Sequence, residues 1–127
     1  WSASAQPSLV LPGNGRLSAR STTGGGMARS HGERLGIRYR QGGESLRLPG
    51  RPGKTLKKLF QEQGIPPWLR DRIPLLFAGD ELLCVPGIGV ASEFCARPDQ
   101  PGLLLQWQHP ELVLTRVVGS GTDAVDG

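Results

Sequence analysis

The sequence predicts an α+β fold, a small mixed or antiparallel β-sheet domain with one amphipathic helix and one short helix packed on it. Its length of 127 residues fits a single domain with a core of ordinary size. Because 19 glycines and 11 prolines accompany 37% hydrophobic residues, short strands and turns should outnumber long helices. One segment, residues 54–76, departs from this pattern because its apolar side chains begin with a helical repeat.

The first 33 residues are predicted to be an N-terminal segment or linker from a preceding domain, the alternative being that they add a strand to the main domain. A candidate strand lies at residues 8–11 and a turn at residues 12–15. The stretch STTGGGMARSHG, residues 21–32, contains too little apolar surface to offset the entropy lost on ordering it. It is therefore predicted to be a linker or long loop. Its three consecutive glycines are not interpreted as a nucleotide cradle, because no strand is predicted before them.

A β-hairpin is predicted next. Leu35–Arg40 alternates apolar and basic residues, which is the period of a half-buried strand. Gln41–Gly43 supplies a turn, and Ser45–Leu48 is predicted to return as the partner strand. One face of this hairpin would be apolar and the other would display arginines.

The amphipathic helix is predicted to follow Thr55, a candidate N-cap, and to close at Gly64, which suits a left-handed residue. Leu56, Leu59, Phe60 and Gln63 follow the spacing i, i+3, i+4 and i+7 on one side of the helix, which is apolar through its first two turns. Lys54, Lys57 and Lys58 lie away from that side. The apolar side would therefore hold the basic side outward.

A second, shorter helix is predicted over residues 67–71, because Pro67 cannot extend the first helix but can begin another. Trp68 is interpreted as a core residue that fixes Arg70 and Arg72 beside the lysines. The alternative is that Trp68 stacks on a base or a ribose.

The remaining apolar segments are predicted to form the core sheet. In chain order they are Leu75–Ala78, Glu81–Val85, Ile88–Ala91, Leu103–Gln108 and Glu111–Val118. The main domain is expected to span residues 34–118, with residues 119–127 as a frayed tail.

The charge distribution is asymmetric. From Arg16 to Arg72 there are thirteen Lys or Arg and four acids, a net charge of +9, whereas residues 73–127 contain two arginines and seven acids, a net charge of −5. Together they give the net charge of +4 of the whole chain. A strongly basic half attracts polyanions. Nucleic acid is favoured over an anionic membrane as the ligand.

No catalytic or metal-binding constellation is found. There is no GxxxxGK[ST] phosphate loop, and His31 and His109 have no partner at metal-ligand or triad spacing. Cys84 lies in the apolar run LLCV, and Glu93 near Cys95 would raise rather than lower the pKa of that thiol. No catalytic residue, metal or cofactor is therefore expected in this chain. Because only two cysteines and no bilayer-spanning apolar run are found, a cytoplasmic protein without membrane contact is expected.

The candidate binding surface is a cluster of cations around the predicted first helix. Lys57 and Lys58 lie in its first turn, where each cation opposes the helix dipole by roughly 0.3–1 kcal/mol. A bound phosphate would reverse that sign, because backbone N–H groups and lysines would converge on one anion. The candidate nucleic-acid-binding residues are Arg38, Arg40, Arg47, Arg51, Lys54, Lys57, Lys58, Arg70, Arg72 and Trp68.

Residues 35–91 resemble the C-terminal domain of bacterial tRNA(Ile)-lysidine synthetases. The resemblance is carried by the hairpin IRYRQGGESLRLPGR and the run LKKLFQEQGIPPWLRDRIPLLFAGDELLCVPGIGV. The GGE turn, the LKKLF helix, the PPWLRD corner, the IPLL strand and the VPGIGV end occur in that order. The resemblance implies a tRNA-recognition domain of an ATP-dependent ligase that attaches lysine to the wobble cytidine of an isoleucine tRNA.

The resemblance also implies which parts of the reaction lie elsewhere. The family's catalytic domain carries an SGGxDS-type phosphate loop, which this sequence lacks, so ATP and Mg²⁺ are expected in that other domain and this chain alone should be inactive. The implied partners are tRNA(Ile), contacted on its acceptor-stem side, and the parent's own N-terminal catalytic domain. The alternative function is a protein-interaction module that packs on that catalytic domain or dimerises with a second copy of the chain.

Overall fold

The computed structural model describes residues 1–109, which form two four-stranded sheets, a two-stranded ribbon and two short helices. The strands are β1 (Ser8–Val10), β2 (Arg16–Thr23), β3 (Met27–Ala28), β4 (Gly36–Arg38), β5 (Ser45–Leu46), β6 (Lys54–Thr55), β7 (Leu75–Ala78), β8 (Glu81–Val85), β9 (Gly89–Val90) and β10 (Pro101–Gln108). The helices are α1 (Leu56–Glu62) and α2 (Pro67–Arg70), and short 3₁₀ turns cover Arg29–Glu33 and Ser92–Phe94. The predicted α+β class is confirmed. The strand and tail predicted at residues 111–127 lie outside the described residues.

The first sheet has the strand order β1-β2-β10-β3 and is antiparallel throughout. Strands β2 and β10 pair along eight residues each, from Arg16 opposite Gln108 to Thr23 opposite Pro101. Alternate side chains of these strands enter the core, where Leu17 and Leu103 are almost completely buried. Residues 8–23 therefore belong to a sheet with β10, and the division of the chain at residue 33 stays a prediction.

The stretch at residues 21–32 is not a long loop, contrary to the prediction. It contains the end of β2, a tight turn, β3 and the first 3₁₀ turn. The Gly24 N–H donates to the Gln100 carbonyl at 2.8 Å, and the Ala96 N–H donates to the Gly26 carbonyl at 2.9 Å. Backbone hydrogen bonds and the buried side chain of Met27 order this glycine-rich segment, and neither depends on a high apolar content.

The second sheet has the order β4-β7-β8-β9. Strands β7 and β8 form the predicted hairpin around Gly79-Asp80, and β9 lies within the predicted segment 88–91. Leu75, Leu76 and Leu83 are fully buried in this sheet. Cys84 is also buried, and desolvation raises the pKa of its thiol to about 12.

The hairpin predicted between residues 35–40 and 45–48 is wrong. Strand β4 pairs with β7, placing Ile37 opposite Leu76, while β5 pairs with β6. The connecting loop closes on itself, because the Glu44 carboxylate accepts the N–H groups of Gln41 at 2.8 Å and Gly42 at 3.0 Å. Strand β4 is thereby free to pair with β7, whose side chains are almost all buried, and β5 turns toward α1.

Helix α1 has the predicted caps and the predicted apolar side. The Thr55 hydroxyl accepts the Lys58 N–H at 3.2 Å, and Gly64 adopts a φ of 69° just beyond the helix. The Ile65 N–H then donates to the Phe60 carbonyl at 2.9 Å, which completes the C-terminal capping pattern. Leu56, Leu59 and Phe60 are buried. The local pattern was therefore sufficient to define this element.

Helix α2 buries Leu69 completely, but Trp68 is 64% exposed, so the interpretation of Trp68 as a core residue is wrong. A four-residue helix presents only one position to the core, and the adjacent residue points about 100° away around the axis. Leu69, Ile65 and Ile73 already fill the interior at this corner. The indole is therefore held on the surface by a rigid turn that begins at Pro67.

Candidate nucleic-acid interface

Most of the predicted cations lie along one continuous segment, which runs from the end of β5 through β6 into helix α1. Residues 45–70 contain six Lys or Arg and a single acid, Glu62. Strand β6 leads directly into α1, so the cations of the ribbon continue into those of the helix. We call the five cations of the ribbon, its connecting loop and the helix the basic surface: Arg47, Arg51, Lys54, Lys57 and Lys58.

Three cations of the basic surface are open to solvent. Lys57 and Lys58 are exposed on the side of α1 opposite its apolar side, and Arg47 is exposed beside Gly53. Within residues 1–109, none of these three side chains forms an ion pair. We refer to Arg47, Lys57 and Lys58 as the open cations, since their full charge is available to an external anion.

The other two cations of the basic surface share one carboxylate. Arg51 Nη2 donates to Glu62 Oε1 at 2.8 Å, and Lys54 Nζ pairs with Glu62 Oε2. The hydrogen bond from Lys54 and that from Arg51 lower the pKa of Glu62 below its ordinary value. We refer to Arg51 and Lys54 as the clamped cations.

Two backbone N–H groups of the predicted phosphate site already have acceptors within the chain. The Leu56 N–H donates to the Glu44 carbonyl at 2.9 Å, and the Lys58 N–H donates to Thr55. These two groups are therefore not available to an external anion at the start of α1. The side-chain charges supply most of the attraction that the segment can offer an anion.

Arg38 and Arg40 have partners of their own on the second sheet. The Arg38 guanidinium lies 4.5 Å from the centre of the Phe77 ring and donates to the Gly79 carbonyl at 2.7 Å. Arg40 Nε lies 3.1 Å from Asp71 Oδ1, and the Arg40 side chain is only 23% exposed. Both arginines are therefore fixed by the fold, and they can offer a ligand only part of their charge.

Arg70 and Arg72 connect parts of the fold and are not held beside the lysines by Trp68. Arg70 Nε donates to the Ile65 carbonyl at 2.8 Å, which ties α2 to the end of α1. Arg72 Nε donates to Asn14 Oδ1 at 3.2 Å, and its Nη2 lies 3.0 Å from the Gly13 carbonyl oxygen and 2.8 Å from His109 Nε2. Arg72 therefore links the corner after α2 to the first sheet.

Asn14 is the residue at this junction that the sequence did not reveal. Its side chain donates to the Arg72 carbonyl at 2.8 Å, and its own carbonyl accepts the Trp107 indole N–H at 2.8 Å. A shallow depression of about 330 Å³ lies here, lined by Pro12, Gly13, Asn14, Tyr39, Asp71 and Arg72. No local pattern predicts it, because Asn14 is 58 positions from Arg72 and 93 from Trp107.

The described part of the chain contains no group of three or more His, Cys, Asp or Glu side chains arranged to hold a metal ion. Burial raises the pKa of Cys95, whose Sγ lies 3.5 Å from the Ala91 carbonyl oxygen. The pKa of Cys95 is therefore raised, as predicted, but the cause is burial and not Glu93. No helix within residues 1–109 is long and apolar enough to cross a membrane.

Comparison with solved structures supports this fold. A crystal structure of a TilS C-terminal domain superimposes with a TM-score of 0.62 at 28% sequence identity, covering 81% of this chain and 90% of the other. The similarity therefore extends beyond the second sheet and helices to most of the described chain.

Comparison with curated sequences identifies longer relatives. The tRNA(Ile)-lysidine synthase of Pseudomonas aeruginosa is 43% identical over 111 residues, covering 87% of this chain and 22% of the relative. That of Methylococcus capsulatus is 40% identical, covering 84% of this chain and 26% of the relative. The chain thus spans about a quarter or less of their length. Because residues 35–107 also match the profile described as the TilS substrate C-terminal domain, the chain belongs to that family.

Proposed function

We propose that this chain is the tRNA-binding, substrate-recognition domain of a tRNA(Ile)-lysidine synthase. The observation that carries the proposal is the basic surface: three open cations on the ribbon loop and helix α1, with only one acid among residues 45–70. Its relatives are named for an enzyme that acts on tRNA(Ile). A polyanionic RNA is the ligand that best matches both facts.

The proposed mechanism is recognition of backbone phosphates and of RNA shape. Lysine and arginine side chains neutralise phosphates and release counterions, which supplies affinity without reading bases. Side chains cannot easily enter the deep, narrow major groove of an A-form stem, so a basic surface of this kind reads shape and the positions of phosphates. Arg38, Arg40 and Arg70 would add a weaker field, and Arg72 is assigned to the internal junction.

The complete reaction is assigned to a longer protein. ATP and Mg²⁺ would bind in the parent's catalytic domain, and this chain alone should not modify tRNA. Joining a weak RNA-binding domain to a second one raises the affinity of the whole through effective concentration. The acceptor-stem side of the tRNA is the proposed contact of this domain, and the cytoplasm is its proposed compartment.

Shift mapping by NMR tests this assignment. A ¹⁵N-labelled sample of the 127-residue chain is titrated with an acceptor-stem minihelix of the isoleucine tRNA. The amide shifts should concentrate in residues 45–70. Shifts confined to the first sheet would contradict the assignment of the RNA contact to the basic surface. A doubling of the molecular mass without RNA-dependent shifts would instead favour the protein-interaction module.

Replacing Trp68 with alanine is expected to weaken binding of the minihelix. The indole is 64% exposed on α2, the helix that follows the basic surface in the chain. A base stacked on it would contribute about 1–3 kcal/mol, or roughly 5- to 150-fold in affinity. Trp68→Phe should retain most of the affinity, because it keeps an aromatic face. Fluorescence anisotropy gives the affinities, and unfolding curves should show no loss of stability. Equal affinities for wild type and Trp68→Ala would rule out stacking.

A further inference from the structure

Glu62 lies between two cations of the basic surface and accepts hydrogen bonds from both. It is the single acid between residues 45 and 70, and both of its carboxylate oxygens accept from cations of the basic surface. Arg51 comes from the loop of the ribbon and Lys54 from β6, so the two cations reach α1 from outside the helix. A carboxylate that satisfies an arginine and a lysine together presents the same kind of oxygens as a phosphate.

The helix itself does not favour a glutamate at this point. Glu62 is the last residue of α1, where the dipole favours a cation, and the first turn contains lysines where the dipole favours an acid. The charges at both ends of α1 are therefore the reverse of those that stabilise an isolated helix. The clamped cations, and not the helix, stabilise the Glu62 carboxylate.

We propose that Glu62 is an internal competitor of the RNA backbone, and that a phosphate group displaces its carboxylate from Arg51 and Lys54 on binding. The identity of the polyanion rests on the proposed function, whereas the exchange itself requires only a phosphate chain. Open cations attract the RNA first, because their charge is not neutralised within the described chain. The clamped cations then exchange one anion for another.

The exchange would make the surface selective. A phosphate that reaches only the open cations leaves Glu62 in place and adds little to the affinity. An RNA backbone with a second phosphate at the correct spacing also engages Arg51 and Lys54. Affinity would therefore depend more on the spacing of the phosphates than on the total charge. Glu62 would also speed release, because its carboxylate competes for the same donors throughout the lifetime of the complex.

Glu62→Gln tests the competition directly. In the full 127-residue chain, this change should tighten binding of the acceptor-stem minihelix about 5- to 10-fold at 0.1 M salt and steepen the slope of log affinity against log salt by about 0.7–0.9, one charge's worth. The matched control is Glu33→Gln, an exposed glutamate on the first 3₁₀ turn, which should change affinity less than twofold. The gain should vanish when Arg51→Ala and Lys54→Ala accompany Glu62→Gln.

A second measurement needs no variant and separates this inference from the proposed function. The Glu62 side-chain carboxyl is followed by ¹³C NMR as inorganic polyphosphate, and separately the minihelix, is added to the wild-type chain. Displacement should raise the pKa of Glu62 from its lowered value, because the two donors leave it.

If only polyphosphate produces this rise, the exchange stands and the RNA assignment fails. If the minihelix binds while Glu62 keeps its lowered pKa and Glu62→Gln gives no gain over its control, the exchange is wrong. Absence of any effect from either anion overturns both.

Discussion

Replacing Gly26 with alanine is expected to lower the free energy of unfolding by about 3 kcal/mol or more. Gly26 has a φ of 68°, and a Cβ at this position would lie 2.1 Å from the Leu103 carbonyl oxygen of β10. The left-handed conformation costs a non-glycine residue about 1–2 kcal/mol, and the contact would add the cost of moving backbone. Relief of the contact requires the turn to separate from β10, where Met27 pairs with Leu103.

The neighbouring glycine provides a matched control for this prediction. At Gly25 a Cβ would lie 3.5 Å from Thr22 Cγ2, which is ordinary van der Waals contact, and its φ is not in the left-handed region. Gly25→Ala should therefore change stability by less than about 1 kcal/mol. Urea unfolding followed by circular dichroism measures both variants. If both are as stable as the wild type, this stretch is the flexible linker that the composition predicted.

The double substitution of Lys57 and Lys58 by alanine is expected to weaken binding of the minihelix roughly 10- to 60-fold at 0.1 M salt. Each phosphate contact raises affinity up to about eightfold at this salt concentration relative to 1 M. The loss of two contacts therefore lowers affinity by the product of the two factors. Both side chains are exposed and outside the core, so the fold should be unaffected. Fluorescence anisotropy measures the affinity, and thermal unfolding verifies the fold.

A second double variant controls for total charge. Arg20 and Arg34 are exposed cations outside residues 45–70, and their joint replacement by alanine removes the same two charges. This variant should weaken binding less than about threefold, because its charges lie outside the basic surface. Equal losses for the two double variants would mean that the RNA responds only to net charge.

Charge reversal at Lys57 distinguishes RNA recognition from the protein-interaction module. Under RNA recognition, Lys57→Glu removes one favourable contact and adds a repulsive one, so affinity for the minihelix falls. If the chain is a protein-interaction module, RNA affinity would be unchanged, and self-association or docking on a catalytic domain would be disrupted. Analytical ultracentrifugation beside the RNA titration separates these outcomes.

The parts of the fold that the sequence could predict are those defined by contacts between near neighbours. Thr55, the apolar residues of α1 and Gly64 form one continuous pattern, and each has its predicted role. The β7–β8 hairpin likewise encloses two turn residues between two apolar runs. In such segments, capping, periodicity and turn chemistry favour the same structure.

The errors concern pairings between distant segments. Strand β4 pairs with β7, almost 40 residues away, because the buried face of β7 offers more apolar contact than the short β5. The glycine-rich stretch is ordered by β10, which lies some 75 residues further along the chain. Neither partner is visible in the local sequence, since loop closure and burial decide these pairings.

In the candidate site, too, features set by near neighbours could be predicted and features set by distant residues could not. Composition was sufficient to locate the cations near α1, but it could not separate the open from the clamped ones. That distinction depends on whether an acid such as Glu62 lies within reach in three dimensions. Arg72 was likewise indistinguishable from a surface cation, although its partners are Gly13, Asn14 and His109.

The salt dependence of minihelix binding tests the central proposal most directly. Affinity is measured between about 0.05 and 0.3 M salt for the wild type and for the Lys57→Ala/Lys58→Ala variant. If the basic surface neutralises backbone phosphates, the slope of log affinity against log salt should be shallower in the variant by about 1.4–1.8, two charges' worth. Identical slopes and identical affinities for the two proteins would contradict the proposal that this surface binds tRNA.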